Sequence, residues 1–193
     1  MGGKSTILPV LSSYYKDKGF KVYTTPEVAT LMWHSGISIH EKHERQTYDL
    51  AHSILTMQIA IEDSYFKLAQ SDEKAIVLCD RGTMDGAGYT PPDLWQKLLN
   101  VFEESNESLL SRYDLVVHLT TAAYGAEAAF EVMVYNNSAR TGCTLEIARQ
   151  LDDAMKVAWS PHKNYHQILN TTDFSGKIER TKQVIDAHLE LGN

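Results

Sequence analysis

The chain has 193 residues, 18 of them Lys or Arg and 25 Asp or Glu, so its formal net charge is −7. Hydrophobic residues make up 43% and charged residues 22%, as in a globular protein built around one core. Apolar runs are short and no leader pattern is visible, so we expect no transmembrane segment and no signal peptide. Two cysteines and an acidic balance without a basic run favour a reduced, cytoplasmic protein that binds neither DNA nor RNA.

The first half of the chain predicts alternating helices and strands. Apolar residues from Ile7 to Tyr15 recur at helical spacing, and the Gly at position 19 ends that helix. The elements predicted next are a strand at 21–25, a short helix at 28–34, a long helix at about 44–70 and a strand at 75–79. In the long helix, steps of three and four predict one buried stripe, made of Leu50, Ile54, Met57, Ile61, Tyr65 and Leu68.

The second half continues the alternation. Its predicted elements are a helix from 93 to about 104, a strand at 115–119, a helix at 144–159, a strand at 165–169 and a helix at 174–191. Such alternation is typical of an α/β fold, here a three-layer sandwich with a mostly parallel sheet. The carboxyl ends of the strands then line one edge, where ligands bind.

Residues 2–6 (GGKST) match the second half of the P-loop pattern G-x-x-x-x-G-K-[ST]. In the full motif, backbone N–H groups wrap the phosphates, the Lys reaches the β- and γ-phosphates, and the hydroxyl ligates Mg²⁺. The helix that follows adds its dipole. The candidate phosphate residues are therefore Gly2, Gly3, Lys4, Ser5 and Thr6. The alternative is an unordered amino terminus with a solvated lysine.

Three charged residues lie within two positions of the end of a predicted strand. Asp80 ends an apolar run in the form of a Walker B element and would hold Mg²⁺ together with Ser5, unless it caps a turn. Arg81 would clamp phosphates, unless it forms a surface ion pair with a neighbouring Glu. Glu27 would accept a hydroxyl proton or orient a water, unless it is simply an exposed residue at a helix start.

Four motifs resemble the NadR/TRPL-translocation-defect AAA-type P-loop domain family. They are residues 2–6 (GGKST), 26–30 (PEVAT), 79–85 (CDRGTMD) and 136–141 (NNSART), and the third is the most specific. The resemblance implies a single domain over 1–193, with a nucleoside-kinase-like P-loop fold that binds ATP or GTP with Mg²⁺. In similar kinases a mobile lid carries arginines over the phosphates, which implies such a role for Arg140 and Arg149 in a lid at about 136–159. An ordinary surface loop is the alternative.

Three residues outside these motifs are also candidates for a role in the site or in the core. Asn170 follows the last predicted strand, where P-loop kinases often border the nucleobase, but Thr172 or Asp173 could instead cap the next helix. Trp159 could border a base pocket, although core packing is the stronger interpretation. His118 lies on a predicted buried strand and is expected to be a satisfied core histidine.

Compared with the family, the sequence lacks the first strand and the first P-loop Gly, which would precede Met1. In the kinase-like strand order that strand lies between strands 75–79 and 115–119, so we expect a sheet without its first central strand, or with another segment in its place. Animal members resembling the TRPL translocation defect protein continue into a second domain. Channel trafficking and phosphoinositide binding are implied through those longer proteins.

The leading prediction is an ATP- or GTP-binding P-loop protein with NTPase or small-molecule kinase chemistry. Lys4, Arg81 and Arg140 would neutralise charge on the transferred phosphoryl group, and Glu27 would orient the acceptor. The alternative is a catalytically impaired binding module with a nucleotide-binding fold, acting in protein trafficking through protein or phosphoinositide contacts.

Overall fold

The computed structural model describes residues 2–37, 44–135 and 143–191. The chain divides into two units, one formed by residues 8–109 and the other by the residues before Leu8 together with those from Leu110 onward. The described elements are, in chain order, α1 (Lys4–Asp17), β1 (Lys21–Thr25), α2 (Val28–His34), α3 (Glu44–Ala69), β2 (Ala75–Cys79), α4 (Asp85–Tyr89), α5 (Pro92–Phe102), α6 (Asn106–Leu110), β3 (Val116–Leu119), α7 (Glu127–Tyr135), α8 (Leu145–Trp159), β4 (Tyr165–Ile168) and α9 (Phe174–Leu191).

In the unit of residues 8–109, β1 and β2 form a parallel pair that runs from Lys21 opposite Ala75 to Thr25 opposite Cys79. Helices α2 and α3 connect the two strands, and α3 packs against both of them. The ring of Tyr23 on β1 meets that of Tyr65 on α3 edge-to-face. Fully or nearly fully buried apolar side chains of this unit include Leu11, Tyr15, Val28, Leu55 and Leu98.

In the other unit, β3 and β4 form a second parallel pair, from Val116 opposite Tyr165 to Leu119 opposite Ile168. Helices α7 and α8 connect these strands, and α9 packs against β4. The small buried cluster Ala122, Ala123, Phe130 and Ala148 joins the segment after β3 to α7 and α8.

The order of the elements confirms the predicted α/β alternation, and both ladders are parallel, as predicted. Strands 21–25 and 75–79 and helices 28–34 and 174–191 have the predicted bounds. Three short helices, α4, α6 and α7, were not predicted. Two predictions about the family's first strand stay predictions. One is that this strand would precede Met1, and the other is that the sheet lacks it. In the ranges that the structure describes, no helix combines the length and the apolar character needed to cross a bilayer.

The predicted buried stripe of α3 is partly wrong. Met57 and Leu68 are 37% and 56% exposed. Among residues 47–69 of α3, the buried side chains are those of Leu55, Gln58, Glu62 and Ala69. The buried line therefore includes two polar residues, which hydrophobic periodicity assigns to the solvent side.

Candidate functional site

The segment before α1 is a tight turn that leaves no room for side chains. Gly3 has φ +89°, in the region that favours glycine, and its carbonyl accepts the N–H groups of Thr6 and Ile7 at 3.1 and 3.0 Å. A Cβ on Gly3 would lie 2.4 Å from the ring of Phe174. A Cβ on Gly2 would lie 2.1 Å from the carbonyl oxygen of Leu119, at the end of β3. Both positions therefore require glycine.

The predicted phosphate residues Lys4, Ser5 and Thr6 form the first turn of α1. Ser5 and Thr6 are exposed, and Lys4 is partly buried. A helix N-terminus that follows a glycine turn favours an anion, since the backbone N–H groups and the helix dipole both point toward it. The structure thus gives this segment the local shape of a phosphate-binding turn, and its role in binding stays a prediction.

A buried polar scaffold fixes the carboxyl ends of β3 and β4. The Nζ of Lys177, whose residue is 3% exposed, donates to the carbonyl of Thr120 and to Oδ1 of Asn170, both at 2.7 Å. The Nδ2 of Asn170 donates to the carbonyls of Thr121 and Tyr124 at 2.7 and 2.8 Å. Burial lowers the pKa of Lys177 to about 8. The carboxamide of Asn170 thus holds the backbone here, and its predicted contact with a nucleobase stays a prediction.

Asp152 on α8 links this scaffold to β3. Its Oδ1 accepts the N–H of Thr121 at 2.9 Å and lies 3.2 Å from Nε2 of His118. His118 is buried and paired, as predicted for a core histidine. Burial, with the nearby charge of Asp152, raises the pKa of Tyr165 to about 12.

The structure shows specific contacts for Asp173, Trp159 and Arg149, which lie near this scaffold or in the predicted lid. Oδ1 of Asp173 accepts the N–H of Gly176 at 2.8 Å, so Asp173 caps α9. Trp159 is buried and packs edge-to-face on Tyr113, as the core interpretation predicts. Arg149 donates from Nε to the carbonyl of Ala123 at 2.8 Å and from Nη2 to Glu127 at 3.1 Å. The remaining lid candidate, Arg140, lies outside the described residues, as does the whole segment 136–142.

In the unit of residues 8–109, the structure brings together Glu27 and Arg81, which sequence reasoning had chosen separately. Nε of Arg81 donates to Oε1 of Glu27 at 2.9 Å, and its Nη1 donates to Oδ2 of Asp85 at 3.1 Å. The second carboxylate oxygen of Glu27 accepts the hydroxyl of Thr30 at 2.8 Å. We call these four residues the carboxylate–arginine cluster. It carries two negative charges and one positive charge.

Arg81 itself has an unusual backbone. Its φ is +87°, which for a residue other than glycine costs about 1–3 kcal/mol and persists where surrounding contacts hold it. Burial opposes the charge of its guanidinium, but Asp85, Tyr89 and Glu27 outweigh that effect and raise the pKa of Arg81. The side chain is 24% exposed, so one part of a permanently charged group still faces solvent.

The donors proposed for Mg²⁺ are the Ser5 hydroxyl, exposed in the first turn of α1, and the Asp80 carboxylate directly after β2. Hard oxygen donors of this kind suit Mg²⁺, which usually takes one or two protein ligands together with phosphates and waters. Among the described residues, no group of three or more His, Cys, Asp or Glu side chains could hold a metal ion. Ser5 and Asp80 belong to different units of the chain, so their joint role as Mg²⁺ ligands stays a prediction.

Sequence reasoning assigned no role to Thr30, Asp85 or Lys177. Thr30 and Asp85 did carry a signal, since they lie three and four residues after Glu27 and Arg81, the spacing at which side chains meet on a helical turn. Lys177 carried no such signal, because its partners are backbone and amide oxygens 57 and 7 positions away in the sequence.

The family model AAA_28, which describes an AAA domain, matches residues 2–177. No curated protein sequence matches the chain. Two solved structures of deoxyadenosine kinase from M. mycoides are similar to it, with TM-scores of 0.55 for the form with bound dATP and 0.53 for the form with bound dCTP. Each is 16% identical, and each alignment covers 96% of this chain and 94% of the kinase chain. The likeness shows a kinase-like α/β fold.

Proposed function

The chain belongs to the AAA domain family, and from this premise we propose that it binds a nucleoside triphosphate and hydrolyses it or transfers its terminal phosphoryl group to a small molecule. The observation that carries the proposal is the glycine turn ahead of α1. Gly2 and Gly3 pack without space for a Cβ, and Lys4 begins the helix directly after them. In P-loops, a glycine turn that opens a helix with a lysine contacts phosphate oxygens through its backbone N–H groups and that lysine.

In this proposal the carboxylate–arginine cluster serves the acceptor. Glu27 orients a hydroxyl or a water for attack and takes its proton, because a carboxylate is an acceptor when ionised. Arg81 keeps its charge at every accessible pH and neutralises charge on the transferred group. Thr30 and Asp85 hold these two side chains in place through the bonds described above.

Mg²⁺ is proposed as the metal, held by Ser5 and Asp80. When bound, it would neutralise the terminal phosphates of the nucleotide. Lys4, Arg81 and Arg140 are proposed to supply positive charge, and Gly2, Gly3 and Thr6 to complete the phosphate contacts. Roles for Arg149 and Asn170 at the nucleotide also stay predictions, and so does the choice between ATP and GTP.

The similar solved structures add a candidate acceptor class. They are deoxyadenosine kinases, and the two forms carry dATP and dCTP. A nucleoside is therefore a reasonable first acceptor to test on this chain, beside water. The closer assignment to NadR/TRPL-type proteins, the strand ahead of Met1 and the trafficking module stay predictions. The coding sequence upstream of Met1 tests the strand.

The test of the function is thermal unfolding with and without Mg·ATP or Mg·GTP. A ligand at about a hundred times its Kd stabilises the folded state by roughly 2.7 kcal/mol, which is easily measured. We expect Lys4→Ala to reduce this effect. The matched control is Lys16→Ala, a substitution at an exposed position in the last turn of the same helix. No stabilisation of the parent by either nucleotide refutes the proposal, and equal effects of the two substitutions refute the role of Lys4.

A further inference from the structure

The buried face of α3 carries a polar pair in a place where apolar side chains would pack. Gln58 and Glu62 are 3% and 6% exposed, and Nε2 of Gln58 donates to Oε1 of Glu62 at 2.7 Å. Burying an amide and a carboxylate brings no advantage in stability over apolar residues of similar size. When its members are hydrogen-bonded, such a pair fixes the orientation of the side chains that form it.

The same amide nitrogen also reaches the backbone of Arg81. Nε2 of Gln58 lies 3.4 Å from the carbonyl oxygen of Arg81, across the packing of α3 on β2. That carbonyl belongs to the residue whose φ is +87°. A conformation of this kind needs contacts that hold it, because the residue would otherwise relax to negative φ.

We propose that Gln58 is a positioning residue for Arg81 and that Glu62 orients the Gln58 amide. Gln58 fixes the backbone of Arg81, and Glu27 and Asp85 fix its guanidinium. The amide can serve in this way because Glu62 accepts one of its protons and determines which way the carboxamide faces. The part played by Arg81 in binding rests on the proposed function, whereas its positioning by Gln58 does not.

The first experiment needs no nucleotide. The Nε–H of Arg81 is bonded to Glu27, so its resonance and hydrogen exchange report the geometry of the cluster in the free protein. The resonance is identified by its loss in Arg81→Lys. We expect Gln58→Met to shift it and to speed its exchange by about fivefold or more, the factor that one ordinary hydrogen bond represents.

The matched control is Gln96→Met. Gln96 is an exposed residue of α5 that bonds Asn100 one turn later, as Gln58 bonds Glu62. We expect this control to leave the Arg81 resonance unchanged. If circular dichroism shows that Gln58→Met does not fold, Gln58→Leu replaces it, because that change also removes the donor and adds no second carboxylate beside Glu62.

The second experiment is a double-mutant cycle on the Kd for Mg·ATP and Mg·GTP, with Gln58→Met and Arg81→Lys alone and together. If Gln58 acts through Arg81, Gln58→Met weakens binding about fivefold in the parent and less than about twofold in the Arg81→Lys background. The inference is overturned if the fold-changes in Kd of the two single variants multiply in the double variant. It is also overturned if the Arg81 resonance is unchanged in Gln58→Met. If the parent binds neither nucleotide, the proposed function fails, and the resonance alone decides the role of Gln58.

Discussion

The buried ammonium of Lys177 makes the stability of this protein depend on pH in a predictable direction. Nζ is held between the carbonyl of Thr120 and Oδ1 of Asn170. Burial lowers the pKa of Lys177 to about 8. The nearby charge of Asp152 acts to raise this pKa, and that of Arg180 acts to lower it. His118 and Tyr165 are the other titratable groups beside Asp152. Exchanging Lys177 for Met removes the titration and keeps an unbranched side chain.

The direction of this pH dependence follows from the pKa values of Lys177 in the unfolded and the folded state. The unfolded chain keeps the proton up to about pH 10.5, whereas the folded chain releases it near pH 8. Between these values the unfolded state binds more protons, so the free energy of unfolding of the parent rises with pH relative to Lys177→Met. At about 1.4 kcal/mol for each pH unit, the difference in unfolding free energy between the parent and Lys177→Met rises by at most about 3 kcal/mol over this pH range. Solvent screening reduces it to about 1–2 kcal/mol.

The assay is urea unfolding of the parent and of Lys177→Met at intervals between pH 7 and 10.5. The lost donor removes one hydrogen bond from the carbonyl of Thr120 and one from Oδ1 of Asn170, which shifts the difference by a constant and does not change its slope. Lys156→Met, at an exposed position in α8, is the control, and we expect no change of the difference with pH for it. A difference for Lys177 that stays flat, or that falls as pH rises, refutes the reasoning.

Two further predictions concern the glycine turn and the carboxylate–arginine cluster. Gly3→Ala and Gly19→Ala both place a Cβ at positive φ, but Gly19 has open space around it whereas Gly3 meets the ring of Phe174. We expect Gly19→Ala to lose about 1 kcal/mol of unfolding free energy and Gly3→Ala to lose more, because only the latter also displaces a ring. Nucleotide binding should weaken in Gly3→Ala alone, and equal nucleotide affinities of the two variants contradict this. Glu27→Gln keeps the shape of the side chain and removes its charge. We therefore expect turnover to fall by about 10²-fold or more, with a smaller change in nucleotide Kd. Steady-state kinetics that show unchanged turnover and a weakened nucleotide Kd exclude Glu27 as the base.

Much of the fold could be predicted because local sequence patterns indicate its strands. The run 75–79 is wholly apolar and bounded by polar residues, and the run 21–25 ends at a proline, so both strands have their predicted bounds. Helix α7 could not be predicted in this way, because the run after Glu127 is apolar except for Glu131 and has no clear amphipathic period. Helices α4 and α6 are five residues long, too short for any period to appear.

In the candidate site too, residues of a local motif could be predicted, whereas most contacts between distant residues could not. Residues named by a motif, such as Gly3 and Lys4, lie in the predicted turn and helix start. Partners that meet through the fold, such as Asp152 with Thr121, are 31 positions apart, and nothing in a single sequence links them. The pairing of Glu27 with Arg81, 54 positions apart, was within reach, because both follow neighbouring parallel strands whose carboxyl ends meet at one edge.

The face of α3 shows why hydrophobic periodicity fails at such a place. The rule assumes that a buried position is apolar, and it therefore selected Met57 and Leu68 instead of Gln58 and Glu62. The two polar residues can be buried because each satisfies the other, and because the remaining amide proton meets a backbone carbonyl. A local pattern and the fold disagree here at the helix that contacts Arg81. Such disagreements are expected where a sequence has been shaped for a site as well as for a core.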